Sequence, residues 1–151
     1  MIRRLEVFVP SNRVSRSGAR LGFDGRNEME RQARGNRYAA AKRKAENEVW
    51  VARFVKSEMA RTGWEARDSL STVELTFIEP NMRRDDDNVF AAAKFVLDAM
   101  CKPTESGGRV VHANGCGAVL DDDPWHVCLI TRRGKTDRQN PGVWIRITRS
   151  E

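Results

Sequence analysis

Alternation of apolar and polar side chains predicts the strands of this chain. In the segment STVELTFIEP, Val73, Leu75 and Phe77 alternate with Glu74 and Thr76, and a proline closes the run. A period of two residues is typical of a half-buried β-strand, so we predict a strand over 72–78. Similar patterns predict strands at 5–9, in HVCLIT and in GVWIRIT.

Apolar residues at steps of three and four predict two helices. The first helix runs from about 36 to 60, with Gly63 as its stop, and the second covers 89–101. The segments 11–27 and 102–117 are rich in glycine and polar residues and are predicted as loops, the first of them mobile and basic. The first stripe comprises Tyr38, Ala41, Ala45, Val49, Ala52, Val55 and Met59, and the second comprises Val89, Val96 and Met100 with Phe90, Leu97 and Cys101 beside them.

The predicted order of elements is β, α, β, α, β, β. This order favours an α+β (mixed α/β) fold in which helices pack on one side of a mixed sheet. A chain of 151 residues is long enough for its own hydrophobic core, and the sequence contains no internal repeat. We therefore predict a single small domain over residues 1–151.

Composition narrows the class of protein. The chain is 40% hydrophobic and 32% charged, and no run approaches the roughly 20 apolar residues of a membrane span. The start, MIRRLEVFVP, lacks the hydrophobic region of a signal peptide, so we expect a cytoplasmic protein without membrane attachment. Three cysteines cannot form a closed set of disulfides, and we expect reduced thiols.

Charge is distributed unevenly along the chain. The net charge of +6 divides into +7 over residues 1–68, −5 over 69–127 and +4 over 128–151. A basic protein with a central acidic segment is suited to hold a polyanion on its flanks and a cation at its carboxylates. This pattern points to nucleic acid as the partner.

The acidic segment contains two separate aspartate runs. Residues 85–87 lie in RRDDDN, before the second predicted helix, and residues 121–123 lie in LDDDP, before the strand HVCLIT. Two or three carboxylates completed by water and phosphate are the usual surroundings of Mg²⁺. Each run also has a simpler explanation, as a solvated turn or a helix cap.

The spacing of the acidic residues does not fit a calcium-binding EF-hand. Zinc coordination remains a minor alternative because the spacing fits no common zinc finger; its candidate ligands are Cys101, His112, Cys116 and Cys128.

These motifs together resemble those of the RusA-like Holliday junction resolvases. The similar features are RRDDDN, a lysine-bearing helix that ends in LDAM, the following GAVLDDD, and an early PSN after the first strand. The resemblance covers most of the chain, but its specific part lies within 83–127. It implies a RusA-like fold and a homodimer that cuts four-way junctions.

The resemblance also implies functional residues. Asp85, Asp87 and Asp122 match the metal-binding aspartates, or Asp123 in place of Asp122 if the register shifts by one. The lysine usually lies four residues after the second aspartate, where this chain has alanine. Alignment from LDAM instead assigns the lysine to Lys94.

The implied activity is Mg²⁺-dependent hydrolysis of paired phosphodiesters in branched DNA, with Mn²⁺ as a possible substitute and no organic cofactor. It would serve recombination or repair, in the host cytoplasm if the protein is encoded by a phage. The long segment 102–116 is either a DNA-contacting insertion or tolerated surface chain. Cleavage of flaps or forks and a non-enzymatic basic DNA-binding protein are the alternatives. Residues expected to contact DNA are Arg13, Arg16, Lys42, Arg83 and Arg84.

Overall fold

A four-stranded mixed sheet organises the protein, and the computed structural model describes all residues, 1–151. Its strands are β1 (Ile2–Pro10), β4 (Ser71–Ile78), β7 (Val127–Arg133) and β8 (Gly142–Ser150), in the spatial order β1-β8-β4-β7. β8 pairs antiparallel with both β1 and β4, whereas β4 and β7 are parallel. The predicted mixed sheet and α+β class are confirmed.

Helices cover one face of this sheet. They are α1 (Arg26–Gly35), α2 (Arg37–Thr62), α3 (Asp86–Phe90) and α4 (Ala93–Met100). Val73, Leu75 and Phe77 are at most 2% exposed and belong to one core cluster of 25 buried residues, which includes side chains of α2 and α4. Full burial of each such side chain contributes about 1.5–3 kcal/mol relative to an exposed position. The opposite face of the sheet remains half-exposed.

The ends of α2 agree closely with the prediction. Asn36 caps its start by accepting hydrogen bonds from the amides of Tyr38 and Ala39, and Gly63 ends it in the left-handed conformation at φ 70°. The predicted apolar face is partly wrong, because Tyr38 is 89% exposed and Val49 is 46% exposed. The residues of α2 that are buried are Asn47, Val51, Ala52 and Val55.

The second predicted helix is divided into α3 and α4. The amide of Ala92 bonds to the carbonyl of Val89, three residues back, so the chain tightens into a 3₁₀-type turn between the two helices. Ala91 and Ala92 keep right-handed helical dihedrals, and the chain therefore continues without a reversal. The predicted apolar stripe is buried, apart from Phe90, which is half-buried.

The two segments predicted as loops are more ordered than expected. The first contains β2 (Arg13–Val14) and β3 (Arg20–Leu21), which form a small hairpin, and leads into the unpredicted helix α1. It forms ion pairs between Arg13 and Asp24 and between Arg84 and Glu28, so the segment is not wholly irregular as predicted. The second contains the hairpin of β5 (Thr104–Ser106) and β6 (Arg109–Val111). None of the helices is both long and apolar enough to cross a membrane.

Candidate metal and nucleic-acid site

Lys94 and Asp122 form the central contact of the candidate site. Lys94 is the second residue of α4, and Asp122 lies 28 positions later, in the loop before β7. Lys94 Nζ donates to Asp122 Oδ2 at 3.2 Å and to Asp98 Oδ1, one helical turn further along α4, at 3.1 Å. Two residues implied by the resemblance are thus in direct contact, together with an aspartate that the sequence analysis did not predict.

These contacts fix the charges of both groups. Desolvation alone would lower the pKa of the Lys94 amine, but its hydrogen bonds to Asp98 and Asp122 outweigh that effect and raise the pKa. Desolvation alone would raise the pKa of Asp122, but interactions with Lys94 and Asp121 outweigh it and lower the pKa. Lys94 is therefore a cation and Asp122 an anion at neutral pH.

Asp98 is the buried centre of this arrangement. Its side chain is 5% exposed, and an unpaired carboxylate at such a position would be strongly destabilising. Lys94 Nζ lies 3.1 Å from one carboxylate oxygen, and Lys44 Nζ of α2 lies 3.2 Å from the other. His112 Nδ1 is 3.5 Å from the first oxygen. The ammonium groups of the two lysines offset the negative charge of the buried carboxylate.

The segment predicted as a loop brings His112 to the site. His112 follows β6 and has φ 55°, which is uncommon for a residue with a side chain. Its ring is only 13% exposed, with Nδ1 facing Asp98 and Nε2 at 3.5 Å from Asp121 Oδ1. The hairpin of β5 and β6, which we call the β5–β6 arm, therefore places one imidazole beside the aspartates.

Cys101 follows the last residue of α4 and lies at the buried side of the site. An isolated parallel bridge joins it to Val119, and this bridge positions the following aspartates. Gly115 makes the close approach possible, because a Cβ there would lie 1.8 Å from the carbonyl oxygen of Cys101. The Cys101 thiol is fully buried and donates to the carbonyl of Leu97. Burial, and then the charges of the nearby aspartates, raise its pKa well above the ordinary value.

Four potential metal ligands converge here. One ligand atom from each lies within 4.8 Å of all the others, and we call this set the four-donor group: Cys101, His112, Asp121 and Asp122. Of the zinc ligands considered from sequence, the group contains Cys101 and His112 but neither Cys116 nor Cys128. All three cysteines are free thiols.

The first aspartate run lies outside this group. Asp85 is the N-cap of α3, and its carboxylate accepts from the amide of Asn88. Asp86 forms an ion pair with Arg133 at 3.4 Å, and Asp87 is exposed without an ion pair. The structure therefore brings Lys94 and Asp122 together, but it shows no contact of Asp85 or Asp87 with either of them.

The strand register explains this separation. Ser71, at the start of β4, pairs with Val127, so the run 121–123 precedes that end of the β4–β7 pair. The run 85–87 follows Ile78, at the other end of β4. The helices α3 and α4 connect the two ends, and Lys94 reaches from the second helix to Asp122.

The five residues expected to contact DNA fall into two classes. Arg13 pairs with Asp24 and Glu28, and Arg84 pairs with Glu79 and Glu28, so both are already engaged by carboxylates. The other three are exposed and form no ion pair: Arg16, Lys42 and Arg83.

The end of the second aspartate run carries a further polar cluster. His126 lies between Asp123, at 2.8 Å from Nδ1, and Asp68, at 3.0 Å from Nε2. Trp125 beside it is 81% exposed, although packing is the commoner role of a tryptophan. Trp64, by contrast, is buried, and its indole donates to the carbonyl of Ala118.

Sequence analysis missed Asp98 as a member of the site and named His112 only as a candidate zinc ligand beside the three cysteines. A signal for Asp98 was present, since a charged residue interrupts the apolar run FVLDAM four positions after Lys94. No local signal placed His112 beside Asp98 and Asp121, because that position depends on how the hairpin folds back. No match to this chain was found among protein-family models, curated proteins or solved structures.

Proposed function

We propose that this protein is a metal-dependent endonuclease that cuts branched DNA, with four-way junctions as its main substrate. The observation that carries the proposal is the 3.2 Å contact between Lys94 and Asp122. These residues come from separate elements, and the RusA-like resemblance had singled out both. A lysine beside a carboxylate, on a chain of net charge +6, is suited to act on a phosphodiester.

The aspartates around Lys94 fit a hard divalent cation. Asp121 and Asp122 offer carboxylate oxygens within 4.8 Å of each other, and Mg²⁺ is commonly held by one or two carboxylates together with water and phosphate. Mn²⁺ accepts the same ligands. Asp122 would hold the ion; the resemblance implies Asp85 and Asp87 as further ligands, but neither contacts Asp122 or Lys94 in this structure, so their coordination would require the two aspartate runs to approach each other. The chemistry such an ion supplies is polarisation of the phosphate and activation of water.

Lys94 contributes positive charge where the phosphate would react. Its amine is cationic, and the buried carboxylate of Asp98 fixes its position through the hydrogen bond of 3.1 Å. A fixed ammonium stabilises the negative charge that grows on phosphate oxygens during hydrolysis. Asp98 is in this scheme a positioning residue, since it acts through Lys94.

The DNA backbone would be bound by the exposed basic residues. Arg16, Lys42 and Arg83 form no ion pair, so their charges remain available to phosphates. Arg13 and Arg84 are proposed to support this surface indirectly, through the ion pairs that hold the segment 11–28. A homodimer would provide two sites for the opposed strands of a junction.

The decisive experiment is incubation of the pure protein with a synthetic four-way junction, with and without Mg²⁺. We expect paired cuts that require the metal and are lost in Asp122→Asn. Asp137→Asn is the matched control, because Asp137 lies in a loop with an exposed side chain that caps a local turn. Junction binding without metal-dependent cleavage of any branched substrate would overturn the proposal.

Flap, fork and linear duplex substrates in the same assay identify the preferred structure. Faster cutting of flaps or forks would keep the nuclease activity and replace its substrate. If the protein binds DNA but never cuts it, the non-enzymatic alternative takes its place. The helix-cap role of Asp85 supports that alternative, because a cap needs no metal.

A further inference from the structure

The four-donor group differs in chemistry from an all-carboxylate site. It offers one thiol, one imidazole and two carboxylates, from the end of α4, the β5–β6 arm and the loop before β7. Sulfur and nitrogen donors favour zinc and other borderline transition metals, whereas Mg²⁺ prefers oxygen alone. The composition of the group therefore selects against the cation expected from the aspartates by themselves.

The spacing of the donors suits a single ion. Zinc–ligand bonds of about 2.0–2.3 Å in a tetrahedron place the ligand atoms about 3.4–3.7 Å apart. The four atoms already lie within 4.8 Å of one another, so each needs to move by only about an ångström or less to reach that geometry. Asp121 and Asp122 are partly exposed, so they can make this adjustment at the expense of the contacts that Asp122 Oδ2 makes with Lys94 and that Asp121 Oδ1 makes with the amide of Asp122.

A buried carboxylate faces the second nitrogen of the imidazole. Asp98 Oδ1 lies 3.5 Å from His112 Nδ1, on the side of the ring away from Asp121, which lies 3.5 Å from Nε2. Metal-binding histidines commonly present their second nitrogen to a carboxylate in this way, which fixes the ring and leaves the other nitrogen for the metal. Asp98 thus supplies an observation independent of the four donors.

We propose that Cys101, His112, Asp121 and Asp122 form a tetrahedral site for Zn²⁺ or a closely similar transition-metal ion. In this proposal, the β5–β6 arm positions His112, the one nitrogen ligand. The proposal does not rest on nuclease activity. It shares Asp121 and Asp122 with the carboxylates proposed to fit Mg²⁺, but metal binding is measurable without DNA.

Cobalt titration of the full chain tests the site directly. Co²⁺ replaces Zn²⁺ in such sites and gives an absorption band when a thiolate binds it. We expect one Co²⁺ per chain, a thiolate–cobalt band, and loss of that band when Zn²⁺ is added. Mg²⁺ in large excess should leave the band in place.

Three cysteine variants assign the band. Cys101→Ala should abolish it, whereas Cys116→Ala and Cys128→Ser should retain it. Cys128 is exposed and is the group most open to adventitious binding. If the band survives Cys101→Ala, or disappears in Cys128→Ser, the proposed site is refuted. Absence of any thiolate band in the parent protein refutes it as well.

His112→Asn tests the role of the arm while respecting its backbone. Asparagine tolerates a positive φ better than most residues, so the conformation at φ 55° is retained. We expect the variant to fold normally by circular dichroism and to bind Zn²⁺ far more weakly. Asp98→Asn should weaken binding by about 10–100-fold, as expected for a residue that orients a ligand. Unchanged affinity in His112→Asn contradicts the proposal.

Asp87→Asn separates this proposal from the nuclease proposal. Asp87 is outside the four-donor group, so its variant should give the same cobalt band as the parent protein. If the parent protein forms the band but cuts no branched DNA with Mg²⁺, the metal site stands and the proposed nuclease function falls. If junctions are cut but no thiolate band forms, the nuclease function stands and the metal site falls.

Discussion

Lys44 of α2 and Lys94 of α4 bind different oxygens of the same carboxylate, that of Asp98, at 3.2 Å and 3.1 Å. Only Lys94 also contacts Asp122. The two lysines therefore share a structural task, but only one of them lies where a reacting phosphate is proposed. This difference provides a matched pair of variants.

Lys94→Met should reduce junction cleavage by about 10²–10³-fold, the usual effect of removing one group that stabilises transition-state charge. Lys44→Met should change the rate much less, because Lys44 has no contact with Asp122. Single-turnover cleavage rates at saturating Mg²⁺ provide the measurement. Equal losses in the two variants would mean that Lys94 only helps to compensate Asp98.

Asp87→Asn should lower cleavage by orders of magnitude if Asp87 is a metal ligand, and it should leave junction binding unchanged or tighter because repulsion of the phosphates falls. Asp86→Asn is the neighbouring control, since Asp86 instead pairs with Arg133 at 3.4 Å. Cleavage and binding are measured on the same junction. Parent-like cutting by both variants would remove the first aspartate run from the mechanism.

The pH dependence of stability should report on His126. Hydrogen bonding to Asp68 raises the pKa of His126 above its ordinary 6.5, desolvation opposes the rise, and Asp123 adds to it. The protonated ring therefore stabilises the fold fully below about pH 6.5, and this contribution is lost as pH rises through the higher folded-state pKa. Urea midpoints should fall as pH rises above about 6.5, and fall less in His126→Asn. An identical slope in the variant would show that another group is responsible.

Trp125→Ala should weaken junction binding by about 1–3 kcal/mol, the range for loss of one base–aromatic stack. Trp125 is 81% exposed and lies next to Asp123, whereas Trp144 is 49% exposed and contacts Phe8 on the sheet. Trp144→Ala is therefore the control. Fluorescence anisotropy with a labelled junction measures both affinities, and equal effects would exclude a specific stacking role for Trp125.

The sheet and the long helix could be predicted because their signals are local. Val73, Leu75 and Phe77 alternate with polar residues over one strand, and Asn36 and Gly63 are strong end signals for α2. The helix α1 was missed because none of its residues is buried, so it has no apolar stripe. Its charged sequence is indistinguishable from a solvated loop in the absence of its partners.

The candidate site was only partly predictable, because its contacts join distant segments. The motif alignment identified Lys94 and Asp122, which do meet. The same alignment could not foresee that the register of β4 and β7 puts the two aspartate runs near opposite strand ends. The contact between His112 and Asp98 depends on a hairpin whose exposed strands have no periodic pattern.

The β5–β6 arm can change without disturbing the core of the fold. Both of its strands are exposed, its tip is formed by Gly107 and Gly108 at positive φ, and neither strand contributes to the core cluster. Changes in its length or sequence therefore carry little cost in folding stability. If the proposed zinc site is correct, replacement of His112 behind this arm would remove its one nitrogen donor and shift the site toward cations that prefer oxygen, while the sheet and helices stay constant.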